Sequence, residues 1–130
     1  MKTNIKLVDF ETIRGEPYVS SKRIGDEPER FLDLCKENYF CLAQVAQVLG
    51  VSTTTLRNSF TAYAGISPKV WITQQRVLLS MRLIREGDSL AEVAEKMVYS
   101  NYQHMAKEFR SVVEFTPKSM LKLLRGLQEA

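Results

Sequence analysis

Thr54, Arg57 and Asn58 stand at i, i+3 and i+4, so they share one face if this stretch is helical. Their side chains suit the reading of flat base edges. An arginine fork pairs bidentately with guanine, an asparagine amide pairs with adenine, and a threonine methyl packs against that of thymine. Ser52, Thr53 and Thr55 add hydroxyls at the same helix start, where free N–H groups are placed to hold a phosphate. Taken alone, the same residues describe a capped surface helix with polar filler.

A second cluster has the same character. Gln103, Lys107 and Arg110 fall at i, i+4 and i+7 on one helical face, with Tyr102 and His104 flanking them at its start. Tyr102, Gln103, His104 and Lys107 are the candidates for base contact, and Asn101 and Arg110 for phosphate. His104 reads equally well as a solvated surface side chain with no special role. Glu108 is expected to turn away, because a carboxylate beside phosphate is repelled.

The elements that must position these residues are written twice. Leu42, Ala43, Val45 and Ala46 recur as Leu90, Ala91, Val93 and Ala94, each 48 residues later. Leu56, Phe60, Pro68 and Lys69 recur as Met105, Phe109, Pro117 and Lys118, now 49 residues later, so the second copy has one extra residue in its turn. Each copy reads helix–turn–helix. In the first, Leu42, Val45, Ala46 and Leu49 form an apolar stripe that Gly50 ends, Ser52 caps the next helix, and Leu56, Phe60 and Tyr63 face inward. In the second, Leu90, Val93, Ala94 and Met97 precede Met105, Phe109 and Val112. Its turn position is Val98; a β-branched residue disfavours positive φ, so the longer turn is expected to take a different path.

Between the copies, residues 67–86 read as one helix with Ser67 as cap, Pro68 at its first position and Gly87 at its end. Its apolar residues occupy almost every face, so it must be covered on several sides. It would span about 30 Å, close to the roughly 34 Å between successive major-groove openings on one side of DNA. Trp71 is expected to be a core aromatic. Arg76, set among apolar neighbours, is expected to be a structural ion-pair partner of Glu86, Asp88, Glu92 or Glu95.

Upstream, residues 1–27 combine a short β-leaning stretch, "NIKLVDF", with Gly15, Pro17 and Gly25, and read as an arm or linker. An amphipathic helix follows from Glu29, with Pro28 in its first turn and Phe31, Leu32, Cys35 and Phe40 near one face. The 130 residues suit one compact domain or two small lobes, and 45% hydrophobic with 25% charged residues is ordinary globular composition. The net charge of +3 is uneven: residues 1–41 hold seven Lys/Arg against eight Asp/Glu, −1, and residues 42–130 hold eleven against seven, +4. The repeated part is the basic part, which favours a polyanionic partner.

No apolar run approaches the roughly 18 residues of a membrane helix, and the N-terminus has no signal-peptide core, so a cytoplasmic protein is expected. Cys35 and Cys41 lack CxxC spacing and are expected to be free thiols, with a redox pair the alternative. One histidine leaves nothing on which to build a zinc site or a catalytic triad. No catalytic residue, metal or cofactor is expected, and no small-molecule ligand is evident.

Residues 42 to about 121 resemble the DNA-binding domain of the AraC/XylS family of bacterial transcription regulators. The resemblance is carried by "LAQVAQVLGVSTTTLRNSF", "AGISPKVWITQQRVLLSMRLI" and "SLAEVAEKMVYSNYQHMAKEFRSVVEFTP", covering 80 of the 130 residues. The short form is similar to members without an attached sensing domain, the MarA and SoxS type. The resemblance implies an all-α fold of about seven helices. Two helix-turn-helix subdomains (residues 42–63 and 89–113) are joined by a long central helix (67–86), and a C-terminal helix covers 116–127, all within a DNA-binding domain of residues 28–127. It implies promoter binding through Thr54, Arg57 and Asn58 and through Tyr102, Gln103, His104 and Lys107, by a monomer rather than a dimer, with activation through RNA polymerase. The chain departs from the family in having Val98-Tyr99 for Gly-Phe, Glu114 for Gly and Met105 for Phe. An arginine common at the position of Asn58 is replaced, with Arg57 beside it. The second unit is therefore expected to dock less tightly or to tolerate more sequences. The contrasting expectation is an interaction protein that binds RNA polymerase or another regulator and little DNA.

Overall fold

The computed structural model describes residues 7–129, with side chains to Gly126. The chain divides into two compact units, one ending at Ile72 and the other starting at Thr73. The seven expected helices are all present. The all-α expectation needs correction, because the chain also folds a three-stranded sheet.

The first unit opens with that sheet: β1 (Val8–Ile13), β2 (Glu16–Ser21) and β3 (Gly25–Arg30), antiparallel in the order β1-β2-β3. Val8 pairs with Ser21 and Ile13 with Glu16, which leaves Arg14 and Gly15 as a two-residue hairpin. Both adopt positive φ, 53° and 80°, the combination that matches the right-handed twist of paired strands. Alternation does the rest: Val8 and Val19 are buried while Asp9 and Glu11 are exposed. Only part of the "NIKLVDF" stretch falls here, since residues 1–6 lie outside the described residues. Pro28 belongs to β3 and not to the following helix, a position that an edge strand tolerates because no ladder donor is needed there.

Four helical segments complete this unit: α1 (Phe31–Glu37), α2 (Leu42–Leu49), α3 (Thr53–Ala64) and the start of α4 (Pro68–Glu86). Its centre is an aromatic cluster. Phe10 meets Phe31 and Phe60 edge-on at 5.1 and 5.3 Å between ring centroids and stacks on Tyr63 at 5.6 Å. Trp71, half-buried, lies 5.4 Å from Phe31 and 5.5 Å from Phe60. The strand residue Phe10 is thus part of the core that seats α3. Gly50 ends α2 at φ 76°, and Arg23 from the β2–β3 turn donates to the Gln47 carbonyl at 3.0 Å. A Cβ on Gly50 would stand 2.9 Å from the Arg23 Nε. Cys35 is buried, and burial pushes its thiol up to about 12, so it behaves as a small hydrophobe.

The second unit contains the rest of α4, then α5 (Leu90–Lys96), α6 (Tyr102–Val112) and α7 (Pro117–Glu129). Ser89 and Glu92 form a reciprocal capping box at the start of α5. Val93, Met97, Met105, Phe109 and Met120 are buried. Arg125 of α7 donates to the Asp88 carbonyl at 3.0 Å, beyond the end of α4. Along α4, Ile72, Val77 and Ile84 are buried, but Val70 and Leu78 are exposed, so the helix is not covered on every side.

The two turns correct a further expectation. Val98 adopts φ 60°, the left-handed conformation that Gly50 holds in the first copy. The hydrogen bonds match as well. The Gly50 and Val98 amides reach back three residues at 3.1 and 3.2 Å, and the Val51 and Tyr99 amides reach back five at 3.0 and 2.8 Å. The turns therefore start alike, and the extra residue enters afterwards, at Ser100, before the cap Asn101. Arg76 supports the strained position by donating to the Val98 carbonyl at 3.1 Å. A β-branched residue held at positive φ costs on the order of 1–3 kcal/mol. Replacing Val98 with glycine is therefore expected to stabilise the protein by about 1 kcal/mol in chemical denaturation, after glycine's own entropy is discounted. A neutral or destabilising result would show that the valine side chain offsets the strain.

Candidate nucleic-acid interface

Helix α3 starts at Ser52, whose hydroxyl accepts the Thr55 amide at 3.0 Å, and it is fixed from inside by buried Leu56 and Phe60. That leaves Thr54, Arg57 and Asn58 together on its exposed face. The phosphate candidates separate. Ser52 is exposed, Thr53 is half-buried, and Thr55 turns toward β1, lining a groove with Val8, Asp9, Phe10, Ser59 and Tyr63. The hydroxyls of Ser52 and Thr55 are also 2.9 Å apart, so each is engaged in the cap.

Helix α6 starts at Asn101, whose side-chain oxygen accepts the His104 amide at 2.8 Å, and buried Met105, Ala106 and Phe109 fix its inner face. Gln103, Lys107 and Arg110 are exposed along one line. Tyr102 is half-exposed, with the Lys118 ammonium 4.8 Å from its ring centroid. Among the described residues, Arg57, Lys107 and Arg110 form no salt bridge. Lys118 was missed as a neighbour of this face, although its place in the repeat, after Thr116 and Pro117 as Lys69 follows Ser67 and Pro68, was the available signal.

His104 is engaged within the unit. Its Nδ1 accepts the Ser100 amide at 3.2 Å, its Nε2 lies 3.4 Å from a Glu108 oxygen, and its ring meets Tyr99 edge-on at 5.1 Å. Glu108 is turned inward, and it is the carboxylate partner found for Arg76, at 3.6 Å. Three of the four expected partners have other roles: Glu86 pairs with Arg82, Asp88 with Lys96, and Glu92 closes the capping box. The helical wheel explains the correction, since Glu108 lies three residues after buried Met105 and beside Phe109, on the inward stripe. The Arg76 guanidinium also lies 4.2 Å from the Tyr99 ring centroid. Burial raises the Tyr99 hydroxyl above the usual tyrosine range, and the Glu108 charge adds to the rise.

Neither helix presents a carboxylate outward: α3 contains none, and the one on α6 faces Arg76. Two capped helices thus expose amides beside free cations, donors and acceptors suited to base edges and phosphates. A family model described as a helix-turn-helix domain matches residues 45–122. The chain belongs to the AraC/XylS family of transcription regulators. It is 29% identical over 110 residues to the virulence regulon transcriptional activator VirF of Yersinia enterocolitica, covering 80% of this chain and 41% of that protein. The HTH-type transcriptional regulator ExsA of Pseudomonas aeruginosa is 24% identical over 98 residues, covering 75% of this chain and 35% of ExsA. A putative AraC-like transcription regulator of Streptomyces antibioticus is 30% identical over 88 residues, covering 67% and 29%. The chain therefore spans less than half the length of these relatives. No solved structure matches it. Among the described residues, no helix is long and apolar enough to cross a membrane, and no three His, Cys, Asp or Glu side chains gather to hold a metal.

Proposed function

We propose that this AraC/XylS family chain binds promoter DNA sequence-specifically by inserting α3 and α6 into adjacent major grooves of one duplex. Thr54, Arg57 and Asn58 on α3 and Tyr102, Gln103 and Lys107 on α6 read bases, and Arg110 with the free donors at the two helix starts holds phosphates. One observation carries the reading: both recognition faces expose an amide beside an unpaired cation and no acid. The protein acts in the cytoplasm as a monomer on DNA, as a regulator and not an enzyme. VirF is a transcriptional activator, and this chain acts as one too, here through contact with RNA polymerase.

Replacing Arg57 with alanine is expected to cost about 1–3 kcal/mol on a specific duplex and to relax preference at one base pair. Raising salt from about 50 to 200 mM should weaken binding by orders of magnitude if several phosphates are neutralised. Unchanged affinity of the R57A variant would remove Arg57 as a reader. A flat salt response would favour the alternative, a protein that binds RNA polymerase or another regulator with little DNA. That alternative drew its support from the altered second turn, and the support weakens now that Val98 adopts the conformation of Gly50.

A further inference from the structure

The second turn carries one residue more than the first, and an extra residue brings an extra amide that needs a partner. That amide belongs to Ser100, and it donates to His104 Nδ1 at 3.2 Å. The first copy has no such arrangement. Its counterpart to His104 is Thr55, whose hydroxyl meets the Ser52 cap instead. A ring nitrogen that accepts a hydrogen bond carries no proton, so the neutral imidazole holds its hydrogen on Nε2, 3.4 Å from Glu108. The His104 amide is tied in turn to the Asn101 cap at 2.8 Å. Both residues that lead into α6 are thus fastened to His104, Ser100 through the imidazole ring and Asn101 through the backbone amide.

We infer that His104 is a positioning residue: in its neutral form it locks the turn 98–101 onto α6, and taking up a proton opens the lock and weakens specific DNA binding. The inference rests on the DNA-binding reading above and adds a regulation to it. A proton on Nδ1 would set one N–H against another, replacing a hydrogen bond with a repulsive contact. The charged and titratable groups around the ring act in both directions. Glu108 from α6 attracts the proton, Arg76 from α4 shares that carboxylate at 3.6 Å and opposes it, and Tyr99 from the turn packs edge-on against the ring. Affinity is full while the ring is neutral and falls as the ring takes up a proton. A histidine that contacted phosphate directly would produce the opposite sign, because its positive charge would strengthen binding.

His104 is the one histidine in the chain, so its signals are unambiguous. The full-length protein labelled with nitrogen-15 at histidine is expected to show the Nε2-protonated tautomer near pH 8. The Ser100 amide should lose its hydrogen-exchange protection as the ring takes up its proton. The probe for binding is the duplex most enriched from random DNA, with a scrambled duplex as control. Affinity for the enriched duplex should fall about three- to tenfold on acidification, the equivalent of one hydrogen bond, without a matching fall on the scrambled duplex. The variant H104N keeps an acceptor where Nδ1 stood and should bind like wild type near pH 8, with no pH response. H104Q places its acceptor too far along and should be weakened at every pH. A Nδ1-protonated tautomer, or binding that strengthens in acid, would overturn the inference. The expected tautomer in a protein that enriches no duplex would support the lock and reject DNA binding.

Discussion

Replacing Phe60 with alanine should cost about 3–5 kcal/mol of stability. Phe60 is fully buried and touches four aromatic rings, on β1, α1, α3 and α4. Those rings join the sheet to the helices, so the cavity cannot close without moving α3. Against a typical stability of about 5–15 kcal/mol, the loss leaves little margin. Thermal unfolding followed by circular dichroism should show the midpoint lower by about 10 °C or more. A loss under about 1 kcal/mol would mean that the cluster can repack, and that α3 is held by something other than its aromatic face.

The second large effect concerns the buried charges beneath α6. Replacing Glu108 with alanine leaves the Arg76 guanidinium, its side chain only 10% exposed, without its nearby carboxylate. Breaking a buried pair costs about 3–5 kcal/mol. The lower end applies here because Glu108 is 18% exposed and the pair is separated by 3.6 Å. The Val98 carbonyl and the Tyr99 ring still face the arginine. Chemical denaturation of E108A should show the loss. If removing both partners restores most of it, the cost lies in the buried arginine charge and not in the missing side-chain volume. Equal destabilisation by the single and double variants would contradict that account.

The helices and the exposed faces of α3 and α6 were legible in the sequence because the duplicated apolar stripe fixes which way each side chain points. Leu56 and Phe60 inside leave Thr54, Arg57 and Asn58 outside by helical geometry alone. The sheet was not legible. β1 carries three apolar residues, β2 only Tyr18 and Val19 after Pro17, and β3 none besides Pro28, while the aromatic partners of Phe10 lie far along the chain. The helical character of Val98's neighbours was clear, but a propensity rule against positive φ gave way to local bonds that hold the turn. For Arg76, the acids nearest along the chain lie at the end of α4, in the loop after it and on α5, whereas its carboxylate partner lies on the inward stripe of α6. His104 could be placed at a helix start, but the hydrogen bond that occupies its ring depends on the extra residue's path, which spacing does not reveal.

The central claim is that both copies read one duplex, and selection of bound fragments from random DNA by the purified, folded protein tests it most directly. At about 150 mM salt with competitor DNA, non-specific binding is held down. The expected result is an asymmetric motif with two half-elements roughly 10 bp apart, one each for α3 and α6. A single short half-element would restrict base reading to one unit and leave the other as an anchor. No enrichment at all would contradict the claim.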